Sequence, residues 1–136
     1  MNQGQCLCGA VHYTVSAPFE YSAYCHCSRC RRASGSAFVS SAGVRRDKLS
    51  IDLGEDSVTV HQRGPDAESH FCKHCGSVLY LLVRNREYAH IQMGTLSDDP
   101  VIRPAFHMQV AFKAPWYQIT DSLPQFSEMP PRRSAS

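Results

Sequence analysis

The chain has 136 residues, 43% hydrophobic and 19% charged, with a formal net charge of +2. That length suits one domain with a core of its own and is too short for two. The basic residues are scattered apart from Arg31-Arg32, Arg45-Arg46 and Arg132-Arg133, so no basic stripe is available for nucleic acid. The apolar runs, such as Val78 to Val83, fall far short of a membrane span, and no membrane partner is expected.

The first residues, Met-Asn-Gln-Gly-Gln-Cys, have neither a basic region nor an apolar run. This argues against a signal peptide and for a cytoplasmic protein. In a reducing compartment, clustered cysteines favour metal over disulfides, and seven of them would leave one thiol unpaired.

Taken in order, Gly4-Gln5-Cys6-Leu7-Cys8-Gly9-Ala10 comes first. In an extended chain residues two apart share a face, so Cys6 and Cys8 can point at one ion while Leu7 turns towards packing. Gly9 allows a tight turn beside the ion. Val11 to Val15 alternates as a strand, Pro18 ends it, and Glu20 to Tyr24 reads as a second strand. Next comes Cys25-His26-Cys27-Ser28-Arg29-Cys30, where Cys25 and Cys27 share a face, His26 points away and Cys30 returns after a two-residue turn. Arg31 to Ser34 is expected as a turn of helix stopped by Gly35.

Ser36 to Ala42 and Ser57 to Gln62 read as strands, with a turn at Leu53-Gly54-Glu55-Asp56 and strong turn chemistry at Arg63-Gly64-Pro65-Asp66. Cys72-Lys73-His74-Cys75-Gly76 is a metal knuckle, with a two-residue gap between the thiols and glycine at the reversal. Ser77 to Arg84 and Tyr88 to Met93 should pair across Asn85-Arg86-Glu87. Pro104 to Phe112 is expected as the last long strand, Trp116 as a cover over the sheet edge, and residues 127–136 as a disordered tail. The fold class is therefore mainly β: one small domain over residues 1–126, with irregular loops and little helix.

Four thiolates complete a tetrahedral zinc site, and three leave one coordination position for a substrate or water. Cys6, Cys8, Cys72 and Cys75 together would close a long loop and hold the fold. Cys25, Cys27 and Cys30 are local and would form a three-thiolate site. A histidine among His26, His70, His74 and His107 could complete that second site instead. Zinc is favoured, although four thiolates also suit iron. Arg31 and Arg32, directly after Cys30, could hold substrate carboxylates, or be an ordinary solvated pair.

These motifs resemble the glutathione-dependent formaldehyde-activating enzyme family, which includes centromere protein V. The resemblance rests on Gly4 to Tyr13, Cys25 to Gly35, Phe71 to Ser77, Gly94-Thr95-Leu96 with Asp99-Pro100, Pro104 with His107, Lys113 to Trp116 and Leu123 to Phe126. It covers roughly residues 4–126, with Ser97 standing where the family often has aspartate directly after leucine. It implies a zinc-pinned fold similar to Mss4, with two zinc ions per chain. One would be structural on Cys6, Cys8, Cys72 and Cys75, and the other catalytic on Cys25, Cys27 and Cys30. The implied activity is that of a carbon–sulfur lyase handling the adduct of glutathione, or another thiol, with formaldehyde or a related small aldehyde. The competing readings are a non-catalytic zinc module that binds a protein partner, and a thiol and zinc redox sensor.

Overall fold

A computed structural model describes residues 1–130; residues 131–136, most of the expected tail, lie outside them. Ten strands, one α-helix and four short 3-10 turns make up the described part. The strands are β1 (Asn2–Gln5), β2 (His12–Val15), β3 (Tyr21–Cys25), β4 (Val39–Arg45), β5 (Leu49–Leu53), β6 (Val58–Gly64), β7 (Ala67–Cys72), β8 (Val78–Val83), β9 (Tyr88–Gln92) and β10 (His107–Met108). Helix α1 spans Ser28–Ser34. No helix among the described residues is long and apolar enough to cross a membrane.

The strands form two sheets. The smaller runs β1-β2-β5, and the larger β10-β3-β4-β9-β8-β7-β6. All neighbours are antiparallel except β10 and β3. The alternation expected in Val11 to Val15 is met: Tyr13 and Val15 are buried while His12 and Thr14 are half-buried. Their inward side chains join Leu79 of β8 and Ile91 of β9 in one core between the sheets. Strand β8, in the middle of the larger sheet, has four consecutive buried residues, as a central strand covered on both faces should.

Two glycines set how closely these pieces approach. Gly4 lies opposite Tyr13, and an added Cβ would sit 2.2 Å from the phenol ring. Tyr13 reaches past it to Thr95 Oγ1 at 2.7 Å. Thr95 gives its own proton to the Gln92 carbonyl, so the phenol is the donor in that pair. The Gly94-Thr95-Leu96 stretch is thus a clamp on the core. The same loop is tied to β1 by Asp98, whose carboxylate accepts from Asn2 Nδ2 at 2.7 Å and from Gln3 N at 3.0 Å. Gly54 has φ of +80°, and a Cβ there would lie 1.9 Å from the Ala10 carbonyl oxygen. Gly54→Ala is therefore expected to cost about 2–4 kcal/mol, read as a lower urea midpoint with an unchanged slope.

The helix forms where Cys27 supplies its cap, with Sγ accepting from Cys30 N. It begins earlier than the expected Arg31, and ends at Gly35 in the left-handed conformation as the sequence predicts (φ +66°). The turn between β8 and β9 is also where it was expected. There Arg84, Asn85 and Arg86 all have positive φ, and the Asp66 carboxylate holds the first two backbone N–H groups.

Three expectations fail. The long strand over Pro104 to Phe112 is only His107–Met108, because Gln109 turns left-handed (φ +59°) and Val110–Phe112 forms a 3-10 turn. The backbone N–H groups of Gln109, Val110 and Ala111 bond to the carbonyls of Glu128, Phe126 and Ser127, a distant pairing that local alternation does not reveal. Trp116 is 72% exposed and covers nothing; the buried residue of that segment is Ala114. Leu7 is 83% exposed, since Cys6 to Cys8 form a turn beyond β1 and not an extended strand.

Candidate functional site

The cysteines fall into two groups, and all seven are free thiols. In the first, Cys6, Cys8, Cys72 and Cys75 bring their sulfurs together across the two sheets. Each arm is a tight backbone turn: Gly9 N bonds to Cys6 O on one side and Gly76 N to Cys72 O on the other. Gly9 and Gly76 both have positive φ, which glycine adopts without strain. Backbone N–H groups are turned onto the sulfurs as well, with Val11 N 3.3 Å from Cys6 Sγ.

Sulfur pairs here are 3.7 Å apart for Cys6–Cys8 and 3.8 Å for Cys8–Cys72. A tetrahedral ion with metal–sulfur bonds of about 2.3 Å needs edges of about 3.8 Å, whereas a disulfide needs about 2.05 Å. The four sulfurs fit a metal ion and no disulfide. Ser77, which ends the Phe71 to Ser77 stretch, joins the two arms. Its hydroxyl accepts from Leu7 N at 2.9 Å and keeps its own proton free for Cys75 Sγ at 3.2 Å, to which it donates when that sulfur is a thiolate. That hydrogen bond is the main reason the Cys75 thiol is pushed down to about 5.

The second group holds only Cys25, Cys27 and Cys30. Cys25 ends β3, Cys27 caps α1 and Cys30 lies in its first turn, so strand end and helix start converge on one point. Val39 and Met108 pack against them. The Cys27 thiol is pushed far down by hydrogen bonds from Cys25 and then Cys30; Cys25 is pushed up by its hydrogen bond to Cys27, and Cys30 by those to Cys25 and then Cys27. A divalent ion among the three sulfurs would let all of them ionise. The donor set fits a metal here too.

Among the described residues no histidine nitrogen joins either group. His70 bonds to Glu68 and stacks on Tyr80, and His74 bonds to Ser57. His26 points away from the sulfurs' group into a buried chain. Its Nε2 lies 2.8 Å from His107 Nδ1, and His107 Nε2 lies 3.0 Å from the Asp121 carboxylate. The acceptor carboxylate fixes a proton on His107 Nε2, which leaves His107 Nδ1 to accept from His26. His26 Nδ1 is then a bare acceptor, buried and with no partner among the described residues. Asp121 gave no signal in the sequence, because it lies in a loop 14 residues from His107 and far from the cysteine motifs.

A cavity of about 360 Å³ opens beside the second group. Val39 belongs to both, and Arg63 lines the cavity while its Nη1 stands 3.9 Å from Cys30 Sγ. Ser34, Phe38, Ser77 and Gln92 complete much of the wall. The volume lies within the range of small-molecule sites, about 300–1,000 Å³. Neither Arg31 nor Arg32 lines it. Arg31 donates from Nε to the Phe112 carbonyl at 3.2 Å, and Arg32 is exposed.

The fold and the paired cysteine groups define a mainly β domain with two sets of sulfurs that could each hold a metal ion. The family model of the glutathione-dependent formaldehyde-activating enzyme matches residues 1–111, and the chain belongs to that family. A Halomonas elongata protein named for glutathione-dependent formaldehyde activation is 30% identical over 127 residues, covering 86% of this chain and 80% of the relative. An uncharacterized lyase of Schizosaccharomyces pombe is 30% identical over 83 residues, covering 61% of this chain and 58% of its own length. A crystal structure of a Rhodobacter sphaeroides protein superposes with a TM-score of 0.61 at 30% identity, over 71% of this chain and 89% of that one.

Proposed function

We propose that this protein is a zinc-dependent enzyme of the carbon–sulfur lyase type, acting on the adduct of glutathione with formaldehyde or a related small aldehyde. Zinc on Cys6, Cys8, Cys72 and Cys75 would hold the fold. A second zinc on Cys25, Cys27 and Cys30 would serve the reaction. The observation that carries the reading is the number of sulfurs in each group: four in the first, enough to complete a tetrahedral ion, and three in the second, which leave one position for a substrate. Family membership supports it, since the family is described by this activity.

A zinc ion with three thiolate ligands and one remaining position stabilises a substrate thiol as thiolate at neutral pH. The chain's own residues supply the rest. Phe38 and Val39 make the wall beside the cluster apolar, which limits water around the reacting sulfur and strengthens electrostatic contacts. Ser34, Ser40, Ser77 and Gln92 place hydrogen-bonding groups around the same space, where a hydroxymethyl oxygen needs partners. Arg63 brings a cation to the same wall, with Nη1 3.9 Å from Cys30 Sγ.

The test is exchange spectroscopy on glutathione with carbon-13-labelled formaldehyde and zinc-loaded protein. Interconversion of formaldehyde and S-hydroxymethylglutathione should run faster than in protein-free buffer. A rate equal to the buffer rate would reject the enzymatic reading.

A further inference from the structure

We infer that Arg63 is an anion subsite, which makes the second metal group selective for thiols that carry a carboxylate. The inference rests on the thiol-handling role proposed above and adds to it the class of thiol accepted.

Arg63 lies near the end of β6, the edge strand of the larger sheet, far along that sheet from β3 and the cysteines that follow it. The sheet curls enough to bring the two together, and Arg63 Nη1 reaches to 3.9 Å from Cys30 Sγ. That is its one hydrogen-bonding contact among the described residues, and no carboxylate there pairs with it. A guanidinium has five N–H donors, so most of them have no partner although the side chain is half-buried and lines a cavity.

A second cation stands at the same end of β6. The Arg29 guanidinium of α1 packs over Gly64, where an added Cβ would be 2.3 Å from its Nη1. A side chain at 64 would push that guanidinium aside. Arg29 also has no carboxylate partner among the described residues, and no acidic residue lines the cavity. One cation in the wall of a space lined by serine hydroxyls and a glutamine amide, with a second over the neighbouring Gly64, favours an anion there. A ligand whose sulfur approaches Cys25, Cys27 and Cys30 would present its carboxylate to Arg63. A thiol without a carboxylate has nothing for those donors, and leaving them desolvated penalises its binding.

Arg63 could instead act only on the metal's charge, and the two roles separate by experiment. Calorimetric titration of the zinc-loaded full chain would compare glutathione with its diethyl ester, which keeps the thiol and loses both carboxylates. Wild-type protein should bind glutathione about 10–100-fold more tightly than the ester. Arg63→Gln should remove that preference by weakening glutathione alone, Arg63→Lys should restore part of it, and zinc content should not change. Equal weakening of both ligands, loss of zinc, no effect of the substitution, or no binding of glutathione would each overturn the subsite. The titration contains no aldehyde. Arg63-dependent binding without adduct formation would therefore sink the enzymatic reading and keep the subsite, and adduct formation indifferent to Arg63 would do the reverse.

Discussion

Cys72→Ser should leave the protein unfolded under conditions where the wild type is native. Cys72 is fully buried at the end of β7, and its sulfur belongs to the group that also contains Cys6 and Cys8, in the turn that follows β1 of the other sheet. An ion held there links positions 64 residues apart. Closing a loop of that length is worth about 4 kcal/mol in chain entropy alone on the cross-link model. The metal–ligand bonds add more, about 10 kcal/mol or above in small zinc domains. A domain of this size has only about 5–15 kcal/mol of net stability, so the loss exceeds what the core can supply. Near-ultraviolet circular dichroism checks this: the tertiary signal should vanish in Cys72→Ser, and equally in wild type stripped by a strong chelator. A variant that melts like the wild type would show that the four-sulfur group does not hold the fold.

The opposite outcome is expected for Cys27→Ser. Cys25, Cys27 and Cys30 span six residues, and an ion among them closes almost no loop. The main structural duty of Cys27 is to cap α1, where its sulfur accepts from Cys30 N at 3.3 Å. Serine is among the preferred capping residues, so the substitution keeps the cap while removing the thiolate. The variant should melt within a few degrees of wild type, carry one zinc per chain in place of two, and lose at least about 100-fold in adduct formation. Metal analysis beside a thermal melt reads both. Unfolding of Cys27→Ser, or full activity with one ion, would contradict the division of labour between the two groups.

The cysteine groups could be read from residue spacing because each arm is local: two thiols and a glycine within a few residues determine a tight turn whatever surrounds it. Gly9, Gly35 and Gly76 take the left-handed conformations that such turns demand. The paired strands across Asn85-Arg86-Glu87 were readable for the same reason. What escaped was set by chain segments distant in sequence. Gln109 to Ala111 bond to the segment at Phe126 to Glu128, so an apolar alternation that suggests a strand carries only a two-residue bridge. Arg63 sits in what reads as turn chemistry, and only the curl of the sheet brings it to Cys30. Arg31 and Arg32 attract attention by adjacency, but a helix turns successive side chains about 100° apart, and these two leave the cavity to a residue of another strand. The buried series His26–His107–Asp121 likewise joins three segments that no local pattern links.

A metal on the three-cysteine group whose remaining position takes a substrate thiol must respond to glutathione once cobalt replaces zinc, because each thiolate bound to cobalt adds sulfur-to-metal charge-transfer absorption. Titration should give a saturable rise in that absorption in the wild type and none in Cys27→Ser, which keeps the four-sulfur group. A cobalt spectrum that ignores glutathione in the wild type, or responds equally in Cys27→Ser, would contradict that arrangement.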